Sequence, residues 1–327
     1  MSGFRSVSIR LTLAASLLGG SVLRAQEPET QQPPVIRVGV DRVNVGVIVT
    51  DSSGHFVEGL RREDFRAYDN GIEQPLSGFL SNDDPAQVLL LVESGPAVLF
   101  VGKSNVLAAD RLLGRLAPQD RVAVASYSRT PELLFDFSAD KPQAQLALHS
   151  LNFMAGFADL NLSASLSIVV DWLASVPGKK TIVLLCSGVD TSSSADWDRT
   201  LAKLNTSDVR ILAVSLSQSI RKPAKRHKLT PKEKEDQTFL KEGFAQADRS
   251  LRQISAATGG RAYFPKDGKD FDRTYAEIAE LVRHEYNLAF APPSLDGRVH
   301  SIEIKIKGSS YQVDHRQAYL AAGNPGG

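Results

Sequence analysis

Between Gln87 and His284 the chain alternates apolar runs with helical runs, and this alternation constrains the fold more than any other feature. Val88–Val92 (VLLLV) and Thr181–Cys186 (TIVLLC) are almost continuously apolar. That is the pattern of strands covered on both faces, as in parallel sheets. Arg121–Ser126 and Val209–Leu216 read as further strands, Leu133–Phe137 as a short edge strand and Arg261–Phe264 as the last of the series. Helical spacing is found in Asn105–Leu116, Lys141–Leu151, Leu162–Val176, Ser194–Leu204, Phe244–Thr258 and Phe271–His284. Gly259-Gly260 supplies the C-cap chemistry that ends a helix. Strands joined by helices predict an α/β fold, a doubly wound and mostly parallel sheet.

The flanking segments have a different period. In Val35–Thr50, Val43, Val45, Val47 and Val49 recur at every second residue, as in a strand with one buried face. Asp51–Gly54 is a turn, Gly59–Phe65 reads GLRREDF, and Arg66–Tyr68 is a strand. Asp69-Asn70-Gly71 is a hairpin signal, because Asn-Gly tolerates the positive φ of a type I′ turn, and Gln74–Phe79 is the expected partner strand. Near the other end, Tyr286–Pro292, Ser301–Ile306 and Tyr311–Ala318 read as three strands. The expected organisation is an N-terminal β unit (35–84), an α/β domain (85–284), C-terminal strands (285–320) and a short tail (321–327). The terminal strands should pair into a small β-sandwich with the α/β domain as an insert.

The first 34 residues follow another logic. Arg5 and Arg10 precede the apolar run Leu11–Leu23, and Ala25 offers a cleavage point before Gln26, the layout of a secretory signal peptide over 1–25. Gln26–Pro34 is a polar linker. The apolar run is shorter than the ~20 residues a membrane span needs, although an uncleaved anchor is the alternative. An extracytoplasmic protein, periplasmic or secreted, is expected. The net charge of +1 points to neither nucleic acid nor an acidic membrane surface. Arg221–Asp236 (RKPAKRHKLTPKEKED) reads as a solvated basic loop, with an anionic partner patch as the alternative.

Motifs for catalysis are weak. Ala97–Ser104 (AVLFVGKS) has the loose outline of a phosphate loop ending in Lys103 and Ser104. Its bulky interior of Val98, Leu99, Phe100 and Val101 resists the strained turns of a phosphate cradle. The six His residues show no zinc-ligand spacing, there is no Gly-x-Ser-x-Gly elbow, and the single Cys186 lies inside an apolar strand. The reading is a binding module without cofactor, not an enzyme.

Six phrases occur in order: VTDSSGHFVEGLRREDFRAYDNGIEQPLSGF, VLLLVESG, DRVAVASYS with LLFDFS, TIVLLCSG, RQISAATGGRAYFP and EYNLAFAPPSLDGR. Together they resemble the VWFA-related domain family described from Acidobacteria, over nearly all of the chain beyond the leader. The resemblance implies a von Willebrand A fold of strand order 3-2-1-4-5-6. Metal-binding members of that family carry a metal-ion-dependent adhesion site, built from Asp-x-Ser-x-Ser after the first strand, a Thr in a later loop and an Asp after the fourth strand. Here Val92, Ser94 and Pro96 occupy the first motif, Ala158 falls near the Thr position, and Ser187 stands for the later Asp. Only Ser94 matches by type, so the resemblance implies a degenerate site without metal. Glu93, Asp159 and Asp190 lie nearby in sequence and could form a displaced cation site, which would make the protein a metal-dependent adhesin.

Two apolar segments should meet at the carboxyl edge of the sheet, where doubly wound folds bind ligands. They contribute Pro96, Val98, Leu99 and Phe100 from one loop and Phe153, Met154 and Phe157 from another, with Trp197 approaching from the next helix. The expected role is a metal-independent surface for a protein partner; the alternative is that these side chains pack as core.

Overall fold

The computed structural model describes residues 42–96, 98, 109–153, 159–221, 231–308 and 310–321, with backbone only over 231–240. The leader, linker and tail, and the start of the Val35–Thr50 run, lie outside the described residues. Four strands open the chain: β1 (Val43–Thr50), β2 (Phe65–Asp69), β3 (Ile72–Gln74) and β4 (Leu76–Leu80). The predicted hairpin joins β2 to β3, and both Asn70 and Gly71 have positive φ, 47° and 80°. The expected strand Gln74–Phe79 is broken at Pro75, which has no N–H to donate to a ladder. The residues before it pair with β2, and those after it cross to a different sheet as β4.

Six strands then build the central sheet: β5 (Ala86–Glu93), β6 (Arg121–Tyr127), β7 (Pro131–Ser138), β8 (Lys179–Cys186), β9 (Val209–Ser215) and β10 (Ala262–Tyr263). Their spatial order is β10-β9-β8-β5-β6-β7. Counted from β5 as the first strand, this is the expected 3-2-1-4-5-6 order. All pairs are parallel except β6 with the edge strand β7. The connecting helices are α1 (Asp110–Leu113), α2 (Lys141–His149), α3 (Leu162–Ala174), α4 (Ser194–Thr206), α5 (Ser217–Ile220), α6 (Pro231–Ala257) and α7 (Gly268–Arg283).

Alternation along β5 assigns its two faces. Val88, Leu90 and Val92 pack with side chains of α1, α2 and α7, whereas Leu89 and Leu91 pack with α3, α4 and α6. Each fully buried Leu or Val contributes about 1.5–3 kcal/mol relative to exposure, so these two layers supply the main driving force. Helix α6 starts thirteen residues earlier than the expected Phe244, and takes in Pro231–Asp236 of the segment read as a loop. The sequence there, Thr230-Pro231-Lys232-Glu233, carries a start signal: a capping residue, Pro in the first helical position and Glu three residues after the cap. Residues 222–230 lie outside the described residues.

The last strands are β11 (Tyr286–Phe290), β12 (Val299–Ile306), β13 (Gln312–His315) and β14 (Ala318–Leu320). They combine with the first four into two antiparallel sheets, β13-β1-β11-β4 and β14-β12-β2-β3. The expected third strand, Tyr311–Ala318, is two strands in different sheets; between them Arg316 turns into the protein and donates to the carbonyls of Asn44, Asn205 and Ser207. Val43, Val45, Val47 and Val49 all enter the sandwich core with Phe65, Tyr286, Phe290 and Tyr319. Ile48, on the opposite face of β1, packs into the α/β core instead. The protein is thus α/β, with a mostly parallel sheet flanked by a small sandwich of N- and C-terminal strands.

Candidate functional site

The carboxyl edge of the central sheet is where β5 and β8 end side by side. Val92, in the first family position, is 1% exposed and faces the α1–α2–α7 layer. Its neighbour Glu93 therefore points to the opposite face, as the pleat requires. Glu93 is completely buried, and its Oε2 accepts the Ser187 backbone N–H at 2.7 Å and the Ser187 hydroxyl at 2.8 Å. The Tyr127 hydroxyl lies 3.5 Å from the same oxygen. Oε1 has no hydrogen-bond partner among the described residues. Burial pushes the Glu93 carboxyl above its usual range, and the Ser187 and Tyr127 donors only partly oppose this. Burial also raises the Tyr127 phenol and the Cys186 thiol, which keeps that Cys inert.

The remaining hydroxyls at this edge are spent internally. Ser94 donates both its N–H and its hydroxyl to the Tyr127 carbonyl, at 2.8 and 3.0 Å. The Ser187 oxygen, besides donating to Glu93, accepts the Val189 N–H at 3.2 Å. Pro96 is half-buried in the turn after β5. Ala158 lies outside the described residues, as do Lys103 and Ser104 of the loose phosphate-loop motif.

The three carboxylates that sequence proximity suggested do not converge. Asp190 accepts the Ser163 N–H at 3.0 Å through one oxygen and the Ser192 N–H at 2.9 Å through the other, bracing the start of α3. Asp159 is exposed and paired with Arg129 at 2.6 Å. Glu93 is sealed beneath the edge. Among the described residues no group of three or more His, Cys, Asp or Glu side chains is arranged to hold a metal ion.

The apolar surface residues also separate. Val98 is fully buried and belongs to the core, which corrects its reading as an exposed anchor: the turn after β5 folds it back under the edge. Phe153 is half-buried against the same core. Trp197 is half-buried on α4 and donates its indole N–H to Gln253 of α6 at 3.3 Å. Leu99, Phe100, Met154 and Phe157 lie outside the described residues.

One feature of this edge was not read from the sequence. A cleft of about 400 Å³ opens beside Trp197, between the turn after β8, the first turn of α4 and one face of α6. Its signal in the sequence is Gly243, which interrupts an otherwise good helical run at a cost of about 1 kcal/mol relative to Ala.

A mostly parallel central sheet of this order with flanking antiparallel sheets is a von Willebrand A-like α/β fold. The von Willebrand factor type A domain family matches residues 103–190 of the chain. Among solved structures, the chain is similar to a von Willebrand factor type A protein from Catenulispora acidiphila, with 11% identity, 79% of this chain and 72% of that one covered, and a TM-score of 0.49. It is also similar to the vWF domain of the type V pili tip protein Mfa5 from Porphyromonas gingivalis, with 11% identity, 61% and 95% covered, and a TM-score of 0.44. A third likeness is to an aerotolerance-related membrane protein from Bacteroides fragilis, with 10% identity, 60% and 98% covered, and a TM-score of 0.43. No curated protein matches the sequence significantly.

Proposed function

We propose that the chain is a non-enzymatic protein-binding module, acting outside the cytoplasm, that engages its partner without a divalent cation. The edge is then a degenerate metal-ion-dependent adhesion site, of the kind the resemblance to the acidobacterial VWFA-related family implies. The observation that carries this reading is the fate of the carboxylates. A magnesium site needs several converging oxygens at about 2.0–2.1 Å. Here Glu93 is bound by Ser187, Asp190 by two backbone amides and Asp159 by Arg129, each at a different place. The hydroxyls of Ser94 and Ser187 are likewise engaged by the protein itself. The edge is pre-organised by internal hydrogen bonds where a cation would otherwise organise it. Among the described residues no helix is long and apolar enough to cross a membrane.

Calorimetric titration of the protein with magnesium, manganese and calcium, with melting followed in parallel, tests the metal-free reading. Silent titrations and unchanged melting are expected. Stoichiometric binding with a raised melting temperature would overturn it and identify a metal-dependent adhesin. Partner binding itself is tested by crosslinking the chelator-washed protein to the extracytoplasmic fraction of its own cells. A discrete, saturable complex that persists in chelator is expected, and its absence counts against the module reading.

A further inference from the structure

The cleft beside Trp197 has the composition of a selective site. At about 400 Å³ it falls in the ordinary range of ligand pockets, about 300–1,000 Å³. Its aromatic lining residue is Trp197, half-buried, whose indole N–H is already satisfied by Gln253, so the ring is tied between α4 and α6. Among the described residues the charged groups lining it are both acidic, Asp190 and Asp198. Asp190 is committed to the Ser163 and Ser192 amides, whereas the Asp198 carboxylate is exposed and makes no hydrogen bond or ion pair among the described residues. Two arginines adjacent in sequence to lining residues are occupied: Arg199 pairs with Asp196, and Arg249 donates to Gln246. The amino end of α4 also opens here, but the Ser193 hydroxyl caps it and Asp196 offsets its dipole. On α6 the cleft is faced by Gly243, where an added Cβ would meet nothing within 4 Å. A glycine inside a 27-residue helix carries a conformational cost, and here its visible consequence is an open cleft wall.

We propose that this cleft binds the guanidinium group of an arginine side chain presented by a protein partner. The inference rests on the protein-binding reading above and adds the chemistry of the contact. A planar guanidinium stacks on an indole and forks onto a carboxylate at the same time, which a lysine ammonium does less well. Trp197 supplies the platform and Asp198 the free carboxylate. An anionic ligand would face two carboxylates and no cation among the described lining residues.

The test is calorimetric titration of the purified protein with the peptide acetyl-Gly-Arg-Gly-amide, its citrulline counterpart and free arginine amide. Saturable binding of the arginine peptide is expected, with the citrulline peptide weaker by about tenfold or more, the equivalent of about 1.4 kcal/mol. Asp198→Asn should weaken binding by a similar factor. Gly243→Leu should abolish it while melting stays level or rises, since Leu favours the helix and fills the cleft. Failure of the arginine peptide to bind, or equal binding by Gly243→Leu, overturns the proposal. Equal affinity for free arginine amide overturns the assignment to a protein partner. Chelator-resistant complex formation that is unchanged in Asp198→Asn and Gly243→Leu would also overturn this site, while leaving the protein-binding module intact.

Discussion

Ser187→Ala is the sharpest probe of the edge, because its cost should depend on pH in a calculable direction. The substitution removes a hydroxyl that donates to Glu93 at 2.8 Å and accepts the Val189 N–H at 3.2 Å. A neutral hydrogen bond is worth about 0.5–1.5 kcal/mol, and one to a charged group about 1.5–3 kcal/mol. With Glu93 protonated the loss is therefore about 1–3 kcal/mol; with Glu93 ionised it rises to about 2–4.5 kcal/mol. Burial raises the Glu93 carboxyl in the folded protein. Its stabilising contribution is complete below the unfolded value of about 4.3 and is lost as pH rises through the folded value. Removing the Ser187 hydroxyl raises the folded value further, so the destabilisation grows with pH. At about 2 °C per kcal/mol for a chain of this size, a 3 kcal/mol loss lowers Tm by about 6 °C above that transition. Melting curves of wild type, Ser187→Ala, Glu93→Gln and the double variant between pH 4 and 8 give the assay. Glu93→Gln should match wild type in acid and exceed it at the alkaline end, and Ser187→Ala should cost less in the Gln background. A Ser187→Ala penalty that is flat across the range, or Glu93→Gln that destabilises equally at every pH, would refute the reasoning.

Three further outcomes are expected. Gly260→Ala drives a Cβ into the Ile211 carbonyl oxygen, on the backbone of β9, so urea denaturation should show a loss of about 3 kcal/mol. Arg210→Met strips the buried Glu285 of its guanidinium neighbour at 3.5 Å and should cost about 3–5 kcal/mol near neutral pH. Because burial already raises the Glu285 carboxyl, that cost should shrink as pH falls and the group protonates, which a denaturation series in pH measures. Tyr319→Phe deletes the hydroxyl that donates to the buried Asp69, and a shift in denaturation midpoint equivalent to about 1.5–3 kcal/mol is expected while His300 continues to hold Asp69 at 2.8 Å.

The central sheet was legible because its signal is local. VLLLV and TIVLLC have the length and β-branched content of strands buried on both faces, and the helical runs between them imply parallel crossovers. The Asn70-Gly71 hairpin was equally readable, since positive φ at both positions is a property of the dipeptide. The run after it was not, because Pro75 interrupts a ladder without stating which sheet takes up the chain next. Likewise nothing in Tyr311–Ala318 announces that Arg316 leaves the strand to bond three carbonyls contributed by β1 and by α4 with the turn that follows it.

The site divides along the same line. From residue types alone, Val92 and Pro96 could be seen to offer no side-chain oxygen to a metal, and Ser187 a hydroxyl where the family has a carboxylate, a matter of chemistry that no fold can alter. What became of the carboxylates was a question of geometry. Glu93, Asp159 and Asp190 each stand close in sequence to a family site position, yet the pleat buries the first, the surface gives the second to Arg129, and a helix start claims the third. Val98 and Trp197 looked alike as apolar edge residues until packing drew one into the core and left the other at the mouth of a cleft. Hydrophobic period and side-chain chemistry are carried by adjacent residues and survive in the bare sequence. Burial and the pairing of polar groups are set by residues tens to hundreds of positions apart, and only the folded chain brings those together.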